Sequence, residues 1–356
     1  MNRGIVDVFL LMSNFLIIGI MSDALKPVMV SVVFRHGHRT PDLKAVYPND
    51  PHKNNTYQPI GYGNLTPQGK DAALKRGQML RRNYTDLLSA TYNPSDFVAR
   101  STNKPRTNMT LEYVIAGMYS LSSVEQFPIK NDIHPSDNLY SAYFFKCEKF
   151  KNAYASVLQS NEIRQQVLQF QDLLKNVSEC AGKDVSTNLF YLYELYAHLQ
   201  AQIALGLKIP ECFKDTFPNG GMKDASFLTL KSLSFTSVLS KFNGGQFLRN
   251  ITQSMMDFVE GKGREKMYLY SGHDINVAGF FHSLKIKLTK LPYFCAAVVV
   301  ELHLQNREYF VRILYYPDDS TNFEILKLEN CNELCLLHEF INLTKDAVPS
   351  DEDLIC

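Results

Sequence analysis

An α/β fold is what this sequence predicts: a mixed, mostly parallel sheet flanked by helices, with a helical cap domain inserted into it. Three observations carry that expectation. A short apolar strand, a polar turn and a helix-like run follow one another three times along the chain. Residues 129–228 break the pattern with long helical runs and no strand signals. The 356 residues, 45% hydrophobic with 23 Phe and 19 Tyr, supply a large core and exclude an intrinsically disordered chain.

Each element has its own reason. Arg3 precedes an apolar stretch at 8–20, and Ser22-Asp23-Ala24 puts small residues where a signal peptidase reads. The stretch is short of the ~20 residues a membrane span needs. Residues 1–24 therefore read as a signal peptide, and the mature chain as soluble and secreted, with no membrane anchor. Residues 28–34 are almost continuously apolar, which suits a strand buried on both faces. They run into Arg35-His36-Gly37-His38-Arg39-Thr40-Pro41. Thr66-Pro67 is an N-cap and first-turn pair opening a helix to about residue 82. The second strand, 97–99, leads through Arg100-Ser101-Thr102 to a helical pattern at 107–118. Helical runs at 153–174 and 185–205 belong to the cap. The third strand, 267–270, leads through Ser271-Gly272-His273-Asp274 to a helix at 275–284, and 298–304 and 309–316 read as strands around a turn at Gln305-Asn306-Arg307. The expected organisation is a discontinuous α/β domain, 25–128 and 229–356, around a cap at 129–228.

The net charge is +1, with 37 Lys+Arg against 36 Asp+Glu, which argues against a dedicated nucleic-acid binder. The local distribution is more informative. Ligands of open α/β sheets bind at the carboxyl ends of strands, and there the sequence puts Arg35, His36 and Arg39, then Arg100, then His273 and Asp274. Guanidinium forks match phosphate oxygens in pairs, so the composition is that of a phosphate site. Flanking arginines depress the His36 pKa and keep its imidazole neutral and nucleophilic in mild acid. Attack on phosphorus yields a phosphohistidine that water hydrolyses. A protonated Asp274 donates to the leaving oxygen. Neutral His and protonated Asp together imply an optimum at roughly pH 4–6. The expected ligand is a small-molecule or protein phosphomonoester.

Arg35-His36-Gly37-His38-Arg39-Thr40-Pro41 resembles the Arg-His-Gly-x-Arg-x-Pro signature of the histidine acid phosphatases. His273-Asp274 is similar to that family's His-Asp pair, and Arg100-Ser101-Thr102 with Arg106 to its middle arginine segment. The resemblance implies His36 as nucleophile, Asp274 as proton donor, and Arg35, Arg39, Arg100 and His273 on the phosphate. It implies no metal and no cofactor, an α/β domain with a helical cap, and a homodimer. His38 stands where many animal members carry Asp, and reads either as a residue beside the clamp or the leaving group or as an exposed bystander; Thr40 is expected beside the clamp, and Arg106 reads as structural. The tail Cys335-Leu336-Leu337-His338-Glu339-Phe340 lacks the family's proline at Leu336. Two rivals remain: a metal-dependent hydrolase using His36 and His38, which the flanking guanidiniums disfavour, and a secreted binding protein of the same fold without turnover.

Six sequons, at Asn54, Asn83, Asn108, Asn176, Asn250 and Asn342, read as glycosylation acceptors; a seventh, at Asn64, is spoiled by Pro67. Seven cysteines cannot all pair. The family resemblance implies Cys147–Cys356, Cys212–Cys295 and Cys331–Cys335, leaving Cys180 over. His134, at the cap boundary, is a further residue that could line the cleft.

Overall fold

The computed structural model describes residues 26–120, 130–131, 146–186 and 188–356. The expected signal segment and His134 lie outside them. The chain runs β1 (Pro27–Arg35), α1 (Pro67–Asn83), β2 (Phe97–Ser101), α2 (Pro105–Tyr119) and β3 (Lys130–Asn131). Five cap helices follow: α3 (Glu148–Gln159), α4 (Asn161–Leu168), α5 (Gln171–Ala181), α6 (Leu189–Ala204) and α7 (Gly221–Ser232). It returns through α8 (Ser237–Ser240), α9 (Gln246–Val259), β4 (Met267–Gly272), α10 (Asp274–Ser283), β5 (Ala297–Gln305), β6 (Glu308–Tyr316), β7 (Glu324–Leu326), β8 (Cys335–Leu336) and α11 (Leu337–Thr344).

One mixed sheet results, in the order β3-β2-β4-β1-β5-β6-β7, with β8 on β6. The β3, β2, β4 and β1 neighbours pair in parallel, and every pairing from β1–β5 outward is antiparallel. Residues 29–35 of β1 are all buried because helices cover both faces of the parallel centre. One face carries α1 and α2, the other α9 and α10, each with its own apolar cluster. A type I′-like turn at Asn306 and Arg307, both with positive φ, joins β5 to β6 as a tight hairpin.

The expected cap helix at 153–174 is three helices. Ser160 ends α3 and caps α4 by accepting from the Ile163 N–H, and residues 169–170 separate α4 from α5. The cap has its own apolar cluster, running from Phe150 through α6 and α7. That cluster continues past residue 228 into Leu239, Phe242, Ile275 and Ala278, and takes Tyr47 from the loop after β1. Cap and sheet domain therefore share a packed seam. Among the described residues no helix is long and apolar enough to cross a membrane.

Cys147–Cys356 and Cys331–Cys335 are bonded as expected. Cys212–Cys295 is not. Cys212 bonds Cys180, Cα to Cα 6.0 Å, so the bridge closes within the cap between α5 and the turn Glu211–Phe213. Cys295 is the free thiol, buried behind the site: its N–H donates to the His36 carbonyl and its own carbonyl accepts from Arg76. Burial pushes this thiol up to about 12, so it stays protonated and inert. Of the sequons, Asn54, Asn83, Asn176 and Asn342 are exposed, whereas Asn108 and Asn250 are half-buried on helices.

Candidate active site

The site forms where β1, β4 and the start of α2 end against α6 of the cap. Its cleft, about 360 Å³, is lined by Arg35, His36, Arg39, Arg106, His273 and Asp274, with Asp42, Lys44, Lys104, Tyr193 and Glu194 among its walls. The His36 loop is held on every side. Its N–H donates to Gly272 O on β4 (2.9 Å), and Gly37 N–H donates to Thr110 Oγ1 on α2 (3.1 Å). Thr66, the N-cap of α1, accepts from Gly69 N–H and donates to the His38 carbonyl. Here glycine is required: a Cβ on Gly69 would stand 2.1 Å from that carbonyl. The first turn of α1 thus seats directly under the loop.

His36 Nδ1 lies 2.8 Å from the Gly37 carbonyl, an acceptor only, so Nδ1 carries the proton and Nε2 keeps its lone pair. Burial, then the charges of Arg106, Arg35, His273 and Arg39, hold the imidazole well below its usual pKa. It is neutral in mild acid. His273, whose ring centroid lies 5.5 Å from that of His36, is likewise depressed, by burial first and then Arg106; its Nε2 is 3.2 Å from Thr102 Oγ1.

Three guanidiniums face one another. Arg35 donates to Pro292 O (2.7 Å), pairs with Asp274 (2.9 Å) and lies 4.5 Å above the Phe294 ring. Arg39 donates to Thr40 O, and Asp42 stands 3.8 Å from it and 3.7 Å from Arg106. The buried Nε groups of Arg35, Arg39 and Arg106 have no acceptor among the described residues. Burial and the neighbouring Arg106 bring Arg39 down to about 10, still cationic at any physiological pH. A cluster of like charges with spare buried donors suits a multivalent oxyanion.

Arg100, expected on the phosphate, is elsewhere. β2 continues through Ser101, so Arg100 sits within the sheet opposite Tyr270 and does not line the cleft. Arg106, read from sequence as structural, lines the cleft instead: it follows Pro105 in the first turn of α2. His38 and Thr40 lie beside the clamp. His38 packs on Phe294 and pairs with Asp319 (3.1 Å), while the Thr40 hydroxyl donates to Gly61 O. With His36 turned to Gly37 and His38 to Asp319, the two imidazoles do not converge as a ligand pair.

Asp274 departs from expectation in its protonation. Burial pushes the carboxyl up, but Arg35, a hydrogen bond from Tyr193 and the nearby His273 outweigh it and hold it below the usual carboxylate range. Tyr193 comes from α6, and sequence reasoning missed it because an aromatic in an apolar helical stripe reads as core.

A profile of the histidine phosphatase superfamily (branch 2) matches residues 28–316. The chain belongs to that superfamily. This branch 2 histidine phosphatase is 32% identical over 339 residues to Venom acid phosphatase Acph-1 of Apis mellifera, covering 92% of this chain and 87% of that one. It is 25% identical over 339 residues to Prostatic acid phosphatase of Homo sapiens, with the same coverage. Among solved structures, Hafnia alvei phytase in complex with tartrate superposes with a TM-score of 0.72 over 92% of this chain and 98% of that one, at 17% identity. The phytase likeness is one of fold.

Proposed function

We propose that this histidine phosphatase is a secreted acid phosphatase, hydrolysing phosphate monoesters to an alcohol and orthophosphate through a phosphohistidine on His36. The observation that carries the residue assignment is the placement of the His36 ring, its Nδ1 against the Gly37 carbonyl and its pKa held down by burial, inside a ring of Arg35, Arg39, Arg106 and His273. Nε2 attacks phosphorus in line with the ester oxygen, the P–O bond breaks, and the alkoxide takes a proton from Asp274. Water then attacks the phosphohistidine, gives a proton back to the Asp274 carboxylate, and the P–N bond breaks to release orthophosphate.

The lowered pKa of the Asp274 carboxyl points to the substrate as the source of that first proton. A phosphomonoester has a second pKa near 6, so in mild acid it arrives largely as a monoanion carrying a proton. Once its oxygens occupy the guanidiniums, Arg35 no longer holds Asp274 so firmly, and the added negative charge raises the carboxyl pKa. The substrate proton then passes to Asp274, which gives it to the leaving group. Acidic operation follows from the substrate as much as from the protein. Three disulfides and exposed sequons at Asn54, Asn83, Asn176 and Asn342 support passage through the secretory pathway.

Alkaline-quench trapping with a radiolabelled phosphomonoester tests the nucleophile. Wild type is expected to retain acid-labile, base-stable label and His36→Ala none. Equal labelling of both would remove His36 from the mechanism, and activity lost to EDTA and restored by a divalent ion would replace it with the metal-dependent reading.

A further inference from the structure

A second cleft, about 870 Å³, opens away from the active site, where the C-terminal end of α10 and residues 285–289 meet α7 and the end of α4. That volume falls within the roughly 300–1,000 Å³ of small-molecule sites. Phe170, Phe227, Leu228, Ile286 and Leu288 form its apolar wall. Leu288 packs against both the cap cluster and the sheet cluster, so the cleft lies on the seam between them.

Its charged and titratable groups are mostly basic, with Gln166, Gln169 and Thr289 as neutral polar neighbours. Lys231, Lys285, Lys287 and His282 line it, against Asp224 as the one acidic lining residue. Two of the lysines have partners: Lys231 lies 3.8 Å from Glu162, and Lys285 lies 3.4 Å from Asp346. Among the described residues neither Lys287 nor the largely buried His282 ring has a hydrogen-bond or ion-pair partner. A pocket with an apolar wall, a partnerless imidazole and an unpaired ammonium suits a ligand with an alkyl or aryl body and one anionic head.

We infer that this cleft is a second binding site, distinct from the catalytic one, for a soluble single-chain anionic amphiphile. The chain lies along Phe227 and Leu288, and the headgroup accepts from His282 and Lys287. A neutral amphiphile brings no countercharge to the Lys287 ammonium, and a short anion gains nothing from the wall.

Titration calorimetry at pH 7, with inorganic phosphate saturating the catalytic clamp, tests it using submicellar decanesulfonate, decanol and methanesulfonate. The expected result is one saturable site for decanesulfonate, at least tenfold weaker binding of decanol, and none of methanesulfonate. His282→Gln combined with Lys287→Glu weakens decanesulfonate at least tenfold and leaves decanol unchanged. Phe227→Asn weakens both, while p-nitrophenyl phosphate turnover within twofold of wild type shows that each variant is folded. If Phe227→Asn does not fold, the polar double variant decides alone. Undiminished decanesulfonate binding in that double variant overturns the assignment. So does binding to anionic vesicles without binding to the monomeric amphiphile, or a cleft buried by dimerisation of the chain.

Discussion

Arg100 and Arg106 are six residues apart in sequence and do different work. Arg100 lies inside a strand ladder that ends one residue later at Ser101, and its charge acts on the Tyr270 hydroxyl across the sheet. Arg106 stands at the N-terminal turn of α2, where its guanidinium adds to the positive end of the helix dipole. Arg106→Ala is therefore expected to lower kcat/KM by ~10²–10³, the cost of losing one donor to transition-state charge. Arg100→Ala should stay within about threefold, on the same p-nitrophenyl phosphate assay. A larger loss in Arg100→Ala would return the phosphate contact to that residue. Asp274→Asn is expected to slow alkyl phosphates by ~10²–10⁴ and nitrophenyl phosphate much less, because a good leaving group needs no donated proton; equal losses would exclude the donor role. Arg35, His36, Arg39, His273 and Asp274 could all be read from the sequence because each lies at or just beyond the end of a strongly apolar strand. Arg106 had a readable signal too, Pro105 marking the first helical turn, but the strand-end pattern pointed to Arg100 first. Tyr193 and Asp42 had none, since only tertiary packing brings the cap helix and the loop after β1 to the clamp.

Elements hold the site by close approach. α1 and α2 cross at glycines: a Cβ on Gly77 would stand 1.9 Å from Val114 O, and one on Gly117 2.1 Å from Leu74 O. Backbone cannot move aside as a side chain can, so Gly77→Ala forces the helices apart and should cost about 2–3 kcal/mol by denaturant titration. Gly37→Ala meets the Gly69 carbonyl at 2.6 Å and acts on the nucleophile loop itself. Its expected signature is a fall in kcat beyond what its stability loss explains, whereas Gly77→Ala should lower stability with kcat nearly intact. Matching effects on both quantities in the two variants would deny the loop any separate role. The sequence showed α1, α2 and their caps plainly, yet gave no sign that these glycines form the helix contact, because a lone glycine in a helical pattern is only a weak helix former. The same limit held for cysteines: spacing cannot choose connectivity, and Cys180 pairs with Cys212 because the turn after α6 folds back onto the end of α5.

For the whole molecule, the buried carboxylates and the buried histidines both cost stability in acid, and the two act in different pH ranges. Glu301 is buried, and burial pushes it up, but His303, Arg312 and Tyr84 together hold it below its ordinary pKa. Asp50, buried between the loop after β1 and α6, is held down likewise by His198, the His52 N–H and Gln202. A depressed carboxyl stabilises fully above its unfolded pKa of about 4 and loses that contribution only as pH falls further. Buried bases behave otherwise. His36 and His273 are held neutral chiefly by burial and the arginines, and burial with Lys231 nearby brings His282 down to about 4. Each unfolded imidazole binds a proton below about pH 6.5 that its folded counterpart refuses, so stability falls from there downward, by up to about 2–3 kcal/mol for the partly exposed His282. Thermal unfolding is thus expected to show Tm declining gently from pH 7 to about 4.5 and steeply below pH 4. His282→Gln should flatten the first limb without changing the second. Glu301→Gln should lower Tm at pH 7 by leaving Arg312 and His303 without their partner, and should flatten the second limb. Phosphate, bound on the arginines, should raise Tm in mild acid, where the enzyme works. Parallel Tm curves for wild type and both variants would show that these buried groups do not set the acid response, and that net charge repulsion does.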